Sequence, residues 1–156
     1  PYEIHEKSVF QRGWPKLPSE WKNSDIEKNI LLLRKLRIEI NKSIENCRNQ
    51  QKIGAALETQ IKFCPKNQDL KNALLWLDKS GHKSVDIYSE WLIVSDFQIV
   101  ETFLDDYLII DDCEFGKIQI AKANGFKCDR CWHYQKEVID GKHSTKLCKR
   151  CSEIIR

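Results

Sequence analysis

The chain has 156 residues and a mass of 18.4 kDa, is 41% hydrophobic and 31% charged, and carries a formal net charge of +3. That is too polar for a membrane protein, with no run near the roughly 18 apolar residues a span needs, and too hydrophobic for wholesale disorder. No basic-then-apolar leader opens it, so neither a signal peptide nor a membrane partner is expected and the expected location is cytoplasmic; with no methionine and a Pro1-Tyr2-Glu3 start, it reads as a piece of something longer.

The first 20 residues, with Pro15 and Pro18 on either side of Lys16-Leu17, read as an extended lead-in. Ser24-Asp25-Ile26-Glu27 has capping-box spacing, in which Ser24 takes an orphan amide and Glu27 reaches back; Trp21 lies just upstream, placed to fix the chain's entry. Ile26, Ile30, Leu33, Leu36, Ile40, Ile44 and Cys47 then recur at steps of three and four. This is one apolar face of a long helix ending near Lys52, ahead of Gly54. The segment 55–63 reads as a strand or a frayed helix end, broken by Cys64-Pro65. A second helix is expected over about 68–79, with Leu70, Leu74 and Leu77 on one face and Ser80-Gly81 as the stop. The period then changes. Trp91-Leu92-Ile93-Val94 and Tyr107-Leu108-Ile109-Ile110 are short β-prone runs, and Ile118 to Lys122 alternates as a half-buried strand does. Asp111-Asp112 and Gly116 are the turns expected between the latter two, and Asn124-Gly125 turns the chain toward its end. The expected fold class is α+β: a long N-terminal helix, a small mixed α/β unit and a C-terminal four-cysteine zinc ribbon.

That ribbon rests on the cysteines. Cys47, Cys64 and Cys113 are scattered, without ligand-like spacing, and are expected to be small buried residues. Cys128-x2-Cys131, sixteen intervening residues and Cys148-x2-Cys151 form a set of a different kind. Each Cys-x2-Cys turn puts two sulfurs on one side of a tight loop, and a hairpin between them completes a tetrahedron. Soft thiolates in closed four-coordination suit Zn2+, although an iron centre takes the same ligands; a disulfide framework is the weaker reading without a secretory leader. A module of about 30 residues cannot bury enough apolar surface to offset its chain entropy, so metal binding and folding would be one event. His133 and His143 could each replace a cysteine, but with four cysteines already paired they read as surface or hairpin residues.

Charge is unevenly spread. Residues 96–124 carry 2 basic and 7 acidic side chains, and residues 125–156 carry 8 and 4. Lys127, Arg130, Lys142, Lys146, Lys149 and Arg150 surround the two knuckles, with Trp132 and Tyr134 interleaved. Positive side chains beside exposed rings make a nucleic-acid surface through phosphate contacts and base stacking. The plainer alternative is that the lysines solvate the module while Trp132 packs over the metal knuckle.

Phe126-Lys127-Cys128-Asp129-Arg130-Cys131-Trp132-His133-Tyr134, followed by Leu147-Cys148-Lys149-Arg150-Cys151, closely resembles the C-terminal zinc module of bacterial-type isoleucyl-tRNA synthetases. Upstream, Leu36-Arg37, Asn41-Lys42, Glu45, Arg48 and Ile53-Gly54-x-x-Leu57-Glu58 resemble the last helix of that family's anticodon-binding domain and the segment after it. Glu90-Trp91-Leu92-Ile93-Val94-Ser95 resembles its short hydrophobic strand. The likeness runs from about residue 8 to the end; Phe10 stands where the family's Ser-Val-His pattern has histidine. It implies three segments: 1–58 ending the helical anticodon-binding domain, 59–124 a small α+β junction, and 125–156 the zinc module. It further implies one structural zinc on Cys128, Cys131, Cys148 and Cys151. Isoleucine tRNA would be held by its anticodon arm through Lys127, Arg130, Trp132, Lys149 and Arg150, with Arg37 contributing either an inward structural contact or an RNA contact. The family's catalytic His-x-Gly-His and Lys-Met-Ser-Lys-Ser elements have no counterpart among the histidines at 5, 82, 133 and 143 or in a chain without methionine. The chain would carry recognition, while ATP use and catalysis belong to the remainder of the synthetase.

Two other readings use similar residues. Formamidopyrimidine-DNA glycosylases end in a finger of nearly the same cysteine spacing that grips DNA, and they begin with a nucleophilic proline. Here Pro1 is followed by Tyr2 where that pattern needs glutamate. The third reading is a stand-alone zinc-ribbon module that binds protein, with the acidic stretch from Asp96 to Glu114 available to serve it or to act as a solvated loop.

Overall fold

The computed structural model describes residues 8–11, 13–81, 86–103, 106–141 and 144–155. Pro1, His5, His82, Lys142 and His143, named above, lie outside the described residues.

The lead-in holds two short 3-10 turns, Val9–Gln11 and Ser19–Trp21. Trp21 does not staple the chain's entry, because it is 70% exposed, and Trp14 is 99% exposed. Helix α1, Ser24–Asn49, is capped by Asn23, whose side chain accepts from the Asp25 and Ile26 amides at 3.1 Å each. The cap therefore stands one residue earlier than the spacing predicts, and Ile26 occupies the position where a capping box needs Glu or Gln. Ser24 is the first helical residue, and Glu27 sits too far along to reach back. Leu33, Leu36, Ile40, Ile44 and Cys47 are buried as their spacing predicts, joined by Ser43. Ile26 is exposed and Ile30 half-buried, because the first turns of α1 extend beyond the core. The helix stops at Asn49, three residues short of Lys52, and Gln51 follows at φ 55°.

A 3-10 turn at Ala56–Glu58 leads into β1, Thr59–Pro65, so 55–63 is neither all strand nor helix, and Pro65 closes the strand. Helix α2, Gln68–Ser80, starts on an Asn67 cap and buries Leu70, Ala73, Leu74 and Leu77. The run at 91–94 is not a strand. Asp86 accepts from the Tyr88 and Ser89 amides and nucleates α3, Ile87–Leu92, which Ile93 ends in the left-handed region at φ 59°. Strand β2 follows at Asp96–Ile99. Strands β3, Ile109–Cys113, and β4, Gly116–Lys122, form a hairpin. Asp111 and Asp112 belong to β3, and the turn is Glu114-Phe115. An outer strand with one solvated face tolerates such carboxylates. Lys66 donates to the Asp112 carboxylate and, at 3.1 Å, to the Cys113 carbonyl; the Asp112 carboxyl is held below its ordinary value mainly by that hydrogen bond.

The sheet order is β2-β1-β4-β3, with β1–β2 parallel and the other pairs antiparallel. A glycine is required at 116, where φ is +153° and an added Cβ would stand 2.2 Å from the Cys64 carbonyl oxygen. Leu33, Leu36, Ile40 and Ile44 of α1 share one core with Ile61, Phe63, Leu74, Val94, Phe97, Ile118 and Ile120. Cys47 is buried in it, but Cys64 and Cys113 are only half-buried, since both stand near strand ends beside the hairpin turn.

Candidate metal centre

Beyond β4 the strands among the described residues are two residues long. These are β5 (Phe126–Lys127) with β6 (Tyr134–Gln135), and β7 (Ile139–Asp140) with β8 (Lys146–Leu147), followed by α4 (Lys149–Ile154). Entry requires Gly125, at φ +102° with the Gln135 carbonyl 2.1 Å from where a Cβ would be. The first knuckle lies between β5 and β6, where the Trp132 amide donates to the Cys128 carbonyl and the Cys128 amide to the His133 carbonyl, both at 2.9 Å. The second runs from β8 into α4, with Cys148 as the residue before the helix. Asp129 ties them: its amide donates to the Lys146 carbonyl at 2.8 Å, and its carboxylate accepts from the Lys146 amide at 2.6 Å.

This brings the sulfurs of Cys128, Cys131, Cys148 and Cys151 within 4.8 Å of one another. The Sγ atoms of Cys131 and Cys148 are 3.8 Å apart. A tetrahedron with Zn–S near 2.3 Å has edges of about 3.8 Å, so the donor set fits that ion in both chemistry and size. The remaining small core is Leu147 with these cysteines. Burial disfavours the Cys128 thiolate, but backbone amides of Cys131, Cys148 and Arg130 donating to its sulfur bring it down to about 6. Cys131 is pushed up to about 12, first by burial and then by the other three sulfurs crowding it. Cys148 is raised, chiefly by burial. Four thiols held this close cannot all ionise without a cation among them.

His133 takes no part in the sulfur cluster. It lines a cavity of about 660 Å3 between the cysteine module and the α+β unit, together with Asp86, Glu90, Asp96, Cys131 and Arg150. Burial, with Arg150 close by, lowers the His133 pKa against the raising effect of Glu90 and Asp86.

The sequence-predicted contact residues are spread over the module and beyond. Trp132 does not pack over the knuckle. It sits at φ 65°, is 59% exposed as a residue, and has the Lys127 ammonium 5.3 Å from its ring centre. Lys146 stands similarly over Phe126 at 5.8 Å. Arg130 and Lys149 are exposed. Arg150 is engaged, donating to Glu90 Oε1 at 2.5 Å. Arg37 on α1 is half-buried with its guanidinium 5.7 Å from the Trp91 ring centre, an inward contact. The roles of Glu90, Ser95 and the cavity went unread in the sequence. Their one signal is that Glu90 and Ser95 are the polar ends of an otherwise apolar hexamer.

A family described as "Zinc finger found in FPG and IleRS" matches residues 125–154. The isoleucine–tRNA ligase of Prochlorococcus marinus strain MIT 9515 is 61% identical over 155 residues, 99% of this chain and 16% of that protein. The ligase of Prochlorococcus marinus subsp. pastoris is 58% identical over the same shares, and that of strain NATL2A 41%. The chain thus spans about a sixth of the length of these relatives. The finger family is described for FPG and IleRS alike, while these long matches are to isoleucine–tRNA ligases. No helix among the described residues is long and apolar enough to cross a membrane. From the lead-in to the last knuckle, the chain matches the C-terminal region of isoleucine–tRNA ligases, zinc finger included.

Proposed function

We propose that this chain is the tRNA-recognition end of an isoleucine–tRNA ligase of the cytoplasm, carrying one structural Zn2+ on Cys128, Cys131, Cys148 and Cys151. The observation that carries the reading is identity to isoleucine–tRNA ligases across nearly the whole chain, not just across the finger. In the parent, ATP-dependent activation of isoleucine and its transfer to tRNA take place in the preceding segments. Residues 1–58 end the anticodon-binding domain, 59–124 join it to the finger, and 125–156 meet the anticodon arm. The exposure of Phe10, Trp14, Leu17 and Trp21 supports a continuing polypeptide as a partner that covers them. Zinc supplies folding energy and no chemistry here, since four protein ligands leave no open position. Lys127, Arg130, Lys149 and Arg150 would meet phosphates and Trp132 a base, while Arg37 keeps its place against Trp91 and offers its outer edge.

The test is binding of the zinc-loaded chain to isoleucine tRNA, an unrelated tRNA and duplex DNA at one salt concentration. Isoleucine tRNA should bind tightest; preference for duplex DNA would overturn the reading in favour of the glycosylase-type finger. The chain alone should also give no isoleucine-dependent pyrophosphate exchange, and turnover by the pure chain would contradict the division of labour.

A further inference from the structure

The hexamer Glu90-Trp91-Leu92-Ile93-Val94-Ser95 does more than build the core. Leu92 and Val94 are buried in it, and Trp91 lies beneath Arg37 of α1. Both polar ends point the other way. Glu90 accepts from Arg150 of α4 at 2.5 Å. Ser95 Oγ accepts from the Tyr134 amide of β6 at 2.8 Å and donates to the Leu57 carbonyl at 2.5 Å, while the Ser95 amide donates to the Thr59 carbonyl at 3.1 Å. One residue thus joins the turn after α1 and the finger through its hydroxyl, and the sheet through its amide. The finger's own core is Leu147 with the four cysteines, and none of these residues belongs to the larger core. Between the two lies the cavity of about 660 Å3, whose lining residues are mostly polar or charged, Asp86, Glu90, Asp96, His133 and Arg150 among them. Among the described buried residues the two hydrophobic clusters share no member, while the Arg150–Glu90 and Tyr134–Ser95 contacts cross between them.

We propose that Glu90 and Ser95 are positioning residues that seat the zinc module on the α+β unit in one orientation and so fix its basic face relative to α1. The consequence for recognition rests on the tRNA reading above; the seating itself does not. Arg150 then keeps one edge on Glu90 and offers the other to a phosphate, as a planar fork of five donors allows. Ser95 is 8% exposed, so its bond to Tyr134 is shielded from water and its loss leaves an amide without its acceptor.

The experiment uses the zinc-loaded 156-residue chain, 15N-labelled, as wild type, as Glu90→Gln, as Ser95→Thr and as the Glu90→Gln/Ser95→Ala pair. Glu90→Gln lies at an exposed position and leaves the fold intact; Ser95→Thr keeps the hydroxyl and should behave as wild type. In the pair, zinc content and sheet protection should stay at wild-type values. The Tyr134 amide should exchange roughly tenfold faster, and residues 126–155 should tumble faster than the sheet. Isoleucine tRNA affinity should fall several-fold, and the swap Glu90→Arg with Arg150→Glu should recover the common tumbling. A pair variant that still tumbles as one body with Tyr134 protected overturns the seating. A loosened finger with undiminished tRNA affinity overturns the orientation role. If the wild type binds no tRNA, the recognition reading falls, and the tumbling and exchange measurements still decide the seating.

Discussion

Cys131 is the most exposed of the four clustered cysteines, yet it is as necessary as the buried three, because a tetrahedral site tolerates no missing corner. Structural zinc contributes about 10–16 kcal/mol to small fingers near neutral pH, far more than the few apolar contacts of Leu147 can replace. Cys131→Ser should therefore remove zinc and amide protection together from residues beyond 125, as elemental analysis and hydrogen exchange would report. Cys64→Ser should do neither, since the Cys64 thiol makes a long 3.9 Å contact with the Glu101 carbonyl and lies outside the cluster. A second residue titrates informatively. The Tyr88 hydroxyl donates to the Leu74 carbonyl at 2.9 Å, and burial, aided by Asp78 and Asp86, pushes its pKa from 10.0 up to about 12. Well below pH 10.0 the phenol is neutral folded and unfolded, and its contribution to stability is whole. As pH rises from there through about 12, the unfolded chain ionises first and that contribution is lost. Tyr88→Phe should flatten this alkaline fall in melting temperature; an unchanged slope would assign it to other groups.

Helix α1 starts where a polar side chain can take two free amides, and that residue is Asn23, not Ser24. Asn23→Ala should cost about 1 kcal/mol in urea unfolding, as cap removal commonly does, while Ser24→Ala at the first helical position should stay within about 0.5 kcal/mol. Equal losses would restore the capping box. The same contrast marks what the residue order made legible. Helices α1 and α2 were readable because each has one face on the core, which prints a period near 3.6 from Leu33 to Cys47 and from Leu70 to Leu77. The convergence of the four cysteine sulfurs was readable to the residue, since a Cys-x2-Cys turn is local and its partner pair has the same form. Helix α3 was not, because four apolar residues from Trp91 to Val94 fit helix and strand equally and the Asp86 cap decides between them. Nor was Asp111-Asp112 as strand, because the hairpin's register is set by Gly116 closing against Cys64 and Pro65 on β1. The cavity and the Glu90–Arg150 pair join residues 60 positions apart, a separation on which no local pattern bears.

Across the second half of the chain, acidic and basic side chains are segregated, with β3 and its turn carrying Asp111, Asp112 and Glu114, and residues 125–156 carrying 8 basic against 4 acidic side chains. Such a field steers an anionic ligand to the basic end and away from the acidic one. If Lys127, Arg130 and Lys149 each neutralise a phosphate, tRNA affinity should fall with salt, and removal of each should lower the magnitude of the log–log slope by roughly 0.7–0.9. Arg130 gives the cleanest case. It is exposed, whereas Arg150 is already paired with Glu90, so reversing Arg150 would disturb the finger's seating as well as its charge. Arg130→Glu should therefore weaken tRNA binding and reduce its salt slope while zinc content and the Tyr134 amide's protection stay unchanged. In the full-length parent the same substitution should slow tRNA charging and leave isoleucine adenylation intact, because amino-acid activation needs no tRNA phosphate. Normal charging at physiological salt with a normal salt slope would reduce the basic surface to solvation of a small charged module, and the finger's part in the ligase would then be structural.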